Sequence, residues 1–207
     1  MILTLDAARK LVSDALERCN TSPANAAAVA RALVAAEVDG QSGHGLRRVE
    51  SYAPQAKVGK VDGHAVPQLA ATAAATARVD AGGGFAYTAL EEACDWLAGA
   101  APVSGIAAAA IHRSHHCGVA GHWVERLARS GMVGMLFANT PKAIAPAGGS
   151  EPLFGTNPVA FAAPGPDGPL VIDLSLSKVA RGKIMAAKQQ GKPIPEGWAL
   201  DADGQPT

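Results

Sequence analysis

The sequence predicts a mixed fold of helices and strands, α/β or α+β, preceded by a part made of helices alone. Up to about residue 57 the apolar residues recur at helical spacing. From residue 77 onward, short apolar runs alternate with helical patterns, which is typical of helices packed on a sheet. A loop rich in glycine and proline separates the two patterns. We therefore expect an N-terminal helical part, residues 1–68, and an α/β part, residues 69–207.

Three helices are expected before this loop. Thr4 is the predicted N-cap of the first, because a threonine side chain can accept a free amide of the first turn. Ser22-Pro23 starts the second, which runs to about Val38, since proline is favoured at the first helical position. A polar turn over residues 41–45 precedes the third, expected from Leu46 to about Lys57.

After the loop, strands and helices alternate without an internal repeat. The expected elements are a strand at 77–80, a helix at 88–101, a strand at 106–112, a helix at 119–130, strands at 133–139, 158–163 and 170–174, and a helix at 179–190. The stretch 194–207 is rich in proline and glycine, and we expect an ordered loop there.

Composition argues against several classes of protein. Eighteen basic and eighteen acidic residues cancel and form no run of like charge, whereas nucleic acids and anionic membranes need a basic face. No stretch approaches the roughly 20 apolar residues of a membrane span. The beginning lacks the pattern of a secretory signal, and three scattered cysteines suit a reducing compartment. We therefore expect a cytoplasmic protein that binds neither nucleic acid nor membrane.

Glycine-rich loops give only a weak indication of nucleotide binding. Gly82-Gly83-Gly84 follows a strand, but its spacing is not that of a Rossmann fingerprint. Gly148-Gly149 and Gly155-Thr156-Asn157-Pro158 could present amides and a hydroxyl to a phosphate or an amide. From spacing alone, tight turns between strands explain both loops equally well.

Two adjacent histidines are the main candidates for chemistry. Ser114-His115-His116-Cys117-Gly118 lies between a strand and a helix, where loops are held rigidly and often carry catalytic side chains. Imidazole exchanges protons near neutral pH. Alternatively, one histidine caps the helix and the other is solvated. No carboxylate falls at ligand spacing beside them, so we expect no metal, and a metal-dependent hydrolase is the weaker reading.

Several motifs in one order carry a resemblance to a known family. They are Gly43-His44-Gly45-Leu46-x-Arg48, Ser114-x-His116-x-Gly118, Pro146-x-Gly148-Gly149, Gly155-Thr156-Asn157-Pro158, Asp173-x-Ser175, Arg181-Gly182-Lys183 and Ile194-Pro195-x-Gly197-Trp198-Ala199-Leu200-Asp201. Together they resemble the malate/L-lactate dehydrogenase family of NAD(P)-dependent oxidoreductases, which includes ureidoglycolate and sulfolactate dehydrogenases and reductases of cyclic imino acids. The resemblance implies a dinucleotide-binding fold that is not Rossmann, with NAD or NADP as cofactor.

The resemblance also implies roles for individual residues. His116 matches the acid/base histidine, and His44 and Arg48 match the pair that faces nicotinamide and substrate. The residues that match cofactor contacts are Thr140, Gly155, Thr156, Asn157, Pro158, Asp173, Leu174, Ser175 and Leu176. A small 2-hydroxy or 2-oxo acid is the implied substrate. A reductase of cyclic imino acids and an inactive protein that keeps the fold are the alternatives.

Two positions depart from the family pattern. Gly43 stands where many members have serine, so a hydroxyl beside the substrate is in doubt, and Leu176 stands where a small or hydroxylated residue is common. Family members continue with a third section beyond the position of Thr207. We therefore expect this sequence to be a fragment or one half of a nicked chain, present as a homodimer or together with a companion C-terminal fragment.

Overall fold

The structure is a computed structural model that describes residues 2–179, 181–201 and 203–207. Its helices are α1 (Leu5–Glu17), α2 (Pro23–Val38), α3 (Val49–Lys57), α4 (Ala86–Ser104), α5 (Ala120–Arg129) and α6 (Arg181–Gln189). Its strands are β1 (Gln68–Ala73), β2 (Thr76–Asp80), β3 (Ala108–His112), β4 (Gly134–Phe137), β5 (Val159–Ala163) and β6 (Leu170–Leu174).

The helix starts confirm the predicted caps. Thr4 Oγ1 accepts the amide of Ala7 at 3.2 Å, so α1 begins where the sequence places it. Ser22 does the same for α2, with Pro23 in the first turn. The third helix differs in its first turn, because residues 46–48 form a 3₁₀ turn before α3 begins.

The strands form two small sheets. In the first, with order β1-β2-β3, β1 is antiparallel to β2, and β2 is parallel to β3 through the crossover helix α4. The second, with order β4-β5-β6, is antiparallel throughout. Strand β1 was not predicted. Ile106 was wrongly placed in a strand: β3 begins at Ala108, and the Ile106 side chain is 77% exposed.

One core joins the N-terminal helices to the elements that follow them. Leu16, Val29 and Leu33 from α1 and α2 are fully buried in it, together with Tyr52 from α3. The same core includes Phe85, Tyr87 and Leu90 at the start of α4, and Trp123 of α5. The loop that holds the two predicted histidines runs between these elements, so its backbone is held from both sides.

The second sheet is covered on one face only. Helix α5 packs on Ala160 and Ala162. Because neighbouring residues of a strand point to opposite faces, the register gives the residues of the other face, which we call the outer face. They are Met135, Phe137, Val159, Phe161, Ala163, Leu170, Ile172 and Leu174. All are apolar, and none is fully buried.

The end of the chain has no regular secondary structure in its described residues. Residues 194–201 and 203–207 form neither helix nor strand, as predicted, and a bridge pairs Leu200 with Pro206. None of the helices in the described ranges is long and apolar enough to cross a membrane.

Candidate active site

A tight turn between α2 and α3 positions His44. The His44 amide donates to the Gln41 carbonyl at 2.8 Å, which closes the turn. Glu37, near the end of α2, accepts the Leu46 amide at 3.0 Å and so caps the following 3₁₀ turn. A Cβ on Gly45 would run into the Glu37 carboxylate, so a larger residue there would displace the Glu37 side chain. The loop is therefore fixed to α2, and His44 lies half-buried at its tip.

Arg48 lies four residues beyond His44 and its side chain turns back toward the loop. Its Nε donates to the Gly43 carbonyl at 2.7 Å. The alternative, an ion pair with Glu50 or Asp39, is not formed in the described ranges, where Asp39 instead bonds His122 at 2.7 Å. The terminal nitrogens of Arg48 have no protein partner among those residues. A guanidinium held through Nε alone keeps its forked end available for a carboxylate.

His116 lies directly against His44. The two rings are parallel, with 5.2 Å between their centroids, although 72 positions separate the residues in the sequence. The Nδ1 of His116 lies 2.7 Å from the Tyr52 hydroxyl and accepts the Gly118 amide at 3.1 Å. Gly118 has a φ of +74°, and a Cβ there would come within 2.9 Å of the Tyr87 ring, so the turn depends on glycine.

His115 packs against rings of the core. Its ring meets the edges of Tyr52, at 4.8 Å between centroids, and Phe85, at 5.7 Å. Its amide donates to the Gly84 carbonyl at 3.0 Å. These contacts place it between the core and the histidine pair, in a packing position. The alternative roles considered for the two histidines, a helix cap and a solvated side chain, do not describe His116.

Burial and positive charge keep all three histidines neutral. Burial, followed by the charge of Arg48, lowers the pKa of His116 to about 3. Burial, Lys60 and Arg48 lower the pKa of His115 to about 4. For His44, burial and Arg48 lower the pKa, and the carboxylate of Asp173 partly opposes them. Neutral rings can donate from one nitrogen and accept at the other.

The Gly155–Pro158 loop forms a second cluster with Thr140. The Thr140 and Thr156 hydroxyls are 3.1 Å apart, and Asn157 Oδ1 accepts the Thr140 amide at 3.0 Å. A Cβ on Gly155 would overlap the Thr140 carbonyl, so the two segments can approach this closely only through glycine. Pro158 follows and accepts the Ala138 amide at 3.1 Å, which ties the loop to the end of β4.

The segment from Asp173 to Leu176 bonds both the N-terminus of α5 and the Thr156 loop. Asp173 accepts the Gly121 amide at 2.7 Å, at the N-terminus of α5, where a carboxylate is favoured by the helix dipole. Two residues on, the Ser175 hydroxyl bonds that of Ser177. The Leu176 amide donates to the Thr156 carbonyl at 2.8 Å, so its backbone makes the link although its side chain is exposed. Leu174 belongs to the outer face instead of facing the histidines.

Two contacts of the site were missed from the sequence. Tyr52 and Tyr87 bond one another at 3.2 Å, and Tyr52 reaches His116. Tyr52 follows Arg48 by four residues, so helical spacing could have placed it beside Arg48. Nothing in the sequence pattern indicates Tyr87. In the described ranges, no three histidine, cysteine or acidic residues are grouped as a metal site would require.

These features define a class of protein. In the described residues, a helical part and two small sheets, without a Gly-rich Rossmann turn, accompany a histidine pair that lies beside an arginine, and a glycine-threonine loop. The sequence matches the malate/L-lactate dehydrogenase family over residues 3–207, and the chain belongs to that family.

Relatives within the family differ in the reactions for which they are named. The chain is 51% identical to the (2R)-3-sulfolactate dehydrogenase (NADP(+)) of Chromohalobacter salexigens over 208 residues, covering 100% of this chain and 62% of that relative. It is 41% identical to the Δ1-pyrroline-2-carboxylate/Δ1-piperideine-2-carboxylate reductase of Pseudomonas putida, covering 96% of this chain and 59% of that protein. The chain therefore spans about three fifths of the length of these relatives.

Solved structures agree with the fold. The Δ1-piperideine-2-carboxylate reductase of Pseudomonas syringae superposes with a TM-score of 0.95 at 36% identity, over 100% of this chain and 63% of that one. The sulfolactate dehydrogenase of Methanocaldococcus jannaschii gives a TM-score of 0.89 at 32% identity, over 100% of this chain and 60% of that one. The predicted family and fold class are confirmed.

Proposed function

We propose that the chain carries the catalytic half-site of an NAD(P)-dependent oxidoreductase that transfers a hydride between nicotinamide and a small 2-hydroxy or 2-oxo acid. The observation that carries this proposal is the stacking of His44 on His116 with Arg48 beside them. It joins a proton-transfer group to a carboxylate-binding group, and a 2-oxo acid needs both. The relatives named as dehydrogenases and reductases support the reaction class.

Each residue has a defined task in the reductive direction. The forked end of Arg48 binds the substrate carboxylate and fixes its orientation. The carbonyl carbon would receive its hydride from a reduced nicotinamide when that cofactor is bound. The carbonyl π electrons move to the oxygen, and that oxygen takes a proton from the His116 ring, which takes up another from solvent, so the product gains its hydroxyl and His116 ends neutral. His44 covers the ring of His116 and excludes water from one of its faces.

The second cluster fits the cofactor. The Thr140 and Thr156 hydroxyls supply donors for an amide or a phosphate, and the close turn at Gly155 leaves backbone accessible beside them. Asn157, Pro158, Asp173 and Ser175 to Leu176 line the same stretch, with Leu174 next to it. His44 Nδ1 is buried without a partner in the part of the chain that the structure describes, so a cofactor group could satisfy it.

Reduction of a cyclic imino acid is the second candidate. Relatives that are 41% and 42% identical bear the name of pyrroline- and piperideine-2-carboxylate reductases. Their substrates, as named, also carry a carboxylate next to the reducible carbon, so Arg48 would have the same task. Gly43 leaves open space, since nothing lies within 4 Å of the Cβ it lacks, and the ring of an imine could use that space.

A fluorescence titration tests cofactor binding directly. We expect NADPH or NADH to bind the 207-residue chain saturably, and Thr156→Val to weaken binding by roughly fivefold, since one hydrogen bond contributes about 1 kcal/mol. Thr72→Val, which removes an exposed hydroxyl in the first sheet, is the matched control and should bind as the wild type does. Saturable binding of neither dinucleotide would contradict the proposal and favour an inactive protein that keeps the fold.

We further propose that the protein works in the cytoplasm and that its outer face is covered in solution. The family resemblance implies a homodimer, and the relatives have further sequence that a companion polypeptide could supply. The apolar outer face supports this proposal, because exposed apolar patches beyond a few hundred Å² are rare on monomers.

A further inference from the structure

The Nδ1 atom of His116 lies between two hydrogen-bonding groups. The Gly118 amide donates to it at 3.1 Å, and the Tyr52 hydroxyl lies 2.7 Å away. The opposite ring nitrogen, Nε2, bonds none of the residues that the structure describes. The two nitrogens of the ring therefore have different surroundings, one occupied by protein and one free to meet a ligand.

The Gly118 amide favours the tautomer of His116 that has no proton on Nδ1. A backbone N–H can only donate, so Nδ1 accepts and holds no proton of its own. Burial lowers the pKa of His116 to about 3, so the ring is neutral at pH 7 and has one proton. That proton is on Nε2.

The direction of the hydroxyl bonds follows from this assignment. Since Nδ1 has no proton, the Tyr52 hydroxyl donates to it. The Tyr52 oxygen then accepts from the Tyr87 hydroxyl, 3.2 Å behind it. Burial raises the pKa of both tyrosines, so both keep their protons. The Tyr87 hydroxyl thus donates to Tyr52, the Tyr52 hydroxyl donates to His116, and the Nε2–H of His116 is left to donate to a ligand.

The fold holds Tyr52 firmly in this place. Its side chain is 1% exposed, and its ring packs against Phe85 and His115. Tyr52 lies one helical turn after Arg48, so the same face of the third helix carries the group proposed to bind the substrate and the group that contacts His116.

We propose that Tyr52 is a positioning residue which, with Tyr87 behind it and the Gly118 amide beside it, holds His116 in the tautomer that has its proton on Nε2. The resting site then presents a hydrogen-bond donor to a carbonyl oxygen. A protonated imine places an N–H group at the same point. Two donors facing each other cannot form a hydrogen bond, so this pairing is unfavourable. The inference rests on the proposed function, and it favours a 2-oxo acid over a protonated cyclic imine as substrate.

Nitrogen-15 NMR of the histidine rings tests the tautomer in the whole chain, without substrate or cofactor. His116→Gln assigns the signals by removing one ring. In the wild type we expect a protonated Nε2 and an unprotonated Nδ1 at pH 7.5. In Tyr52→Phe we expect a measurable fraction of the other tautomer and an upward shift of the His116 pKa by roughly one unit, since a donor to the neutral ring is lost.

Two further variants separate positioning from general packing. Tyr87→Phe should shift the His116 pKa in the same direction but less. Thr88 lies on the same helix as Tyr87, and its partly buried hydroxyl bonds Asn25. Thr88→Val removes that bond as a control and should leave the His116 signals unchanged.

A wild-type ring with its proton on Nδ1 would overturn the inference. So would a Tyr52→Phe spectrum identical to that of the wild type. Because these measurements need no turnover, an inactive protein with the expected tautomer would contradict the proposed function and leave the positioning role supported.

Discussion

The histidine site and the second sheet are built in opposite ways. His116 is held by buried side chains from α3 and α4 and by a backbone amide of its own loop, and Tyr52 and Tyr87 behind it are about as buried as any residue of the core. The second sheet, whose β4 precedes Thr140 and whose β6 contains Asp173, is packed on one face by α5 and open on the other.

This difference predicts which region keeps its geometry without a partner chain. The geometry of the histidine pair depends on contacts that lie within this chain. The segments expected to hold the cofactor rest on a sheet with an apolar face that lacks cover from the described residues. We therefore expect the proton-transfer geometry to be robust, and the cofactor segments to depend more on whatever covers the outer face.

The largest expected effect is on catalysis by the histidine pair. In an active preparation, His116→Ala should lower turnover by about 10²–10⁴-fold with nearly unchanged dinucleotide affinity, because it removes a positioned proton donor. Steady-state kinetics and a fluorescence titration measure the two quantities. His115→Ala is the matched control and should have a much smaller effect on turnover, since that ring packs on Phe85 and Tyr52. Near wild-type turnover of His116→Ala would remove it from the mechanism.

Local signals in the sequence were sufficient for most elements. Caps at Thr4 and Ser22 and helical spacing of apolar residues placed α1 and α2, since these depend on neighbours within a turn. Strand β1 was missed because its residues are mostly exposed and it pairs with β2 at an edge, so no alternation of burial marks it. Ile106 was misplaced because an apolar residue after a helix end looks like the start of a strand.

The site was predictable in part. His44, Arg48 and His116 were found through motifs that resemble the family, and the structure brings the two histidines into contact. The roles of these residues and of the cofactor segments stay predictions. Tyr87 could not be found, because its approach to Tyr52 depends on how α4 packs on α3, and no spacing along the sequence encodes that contact.

A smaller effect is expected on stability: acid should lower the free energy of unfolding through the buried histidines. The pKa of His116 is lowered on folding, so its neutral ring is compatible with the fold above pH 6.5, and stability is lost as the pH falls from 6.5 toward 3. At pH 5 the loss from His116 amounts to about 2 kcal/mol, and His115, whose pKa burial lowers to about 4, adds to it. Urea unfolding at pH 7.5 and pH 5 measures the loss.

A matched pair of variants assigns that loss. His116→Gln should reduce the pH dependence by most of this amount, whereas His64→Gln, at an exposed position, should leave it unchanged. Equal slopes for the wild type and His116→Gln would show that His116 is not the group responsible.

The smallest expected effect concerns the outer face and tests whether it is covered. Ile172 is 45% exposed there, so in an isolated chain Ile172→Ala should change the free energy of unfolding by no more than about 0.5 kcal/mol. Leu33→Ala, in the fully buried core, is the control and should destabilise by about 2–5 kcal/mol.

If another chain covers the face, Ile172→Asp should lower the molecular mass seen by light scattering, because a charge would then be buried in the interface. A monodisperse 20.9 kDa monomer for the wild type, with no second polypeptide by intact-mass spectrometry, would show that the face is open.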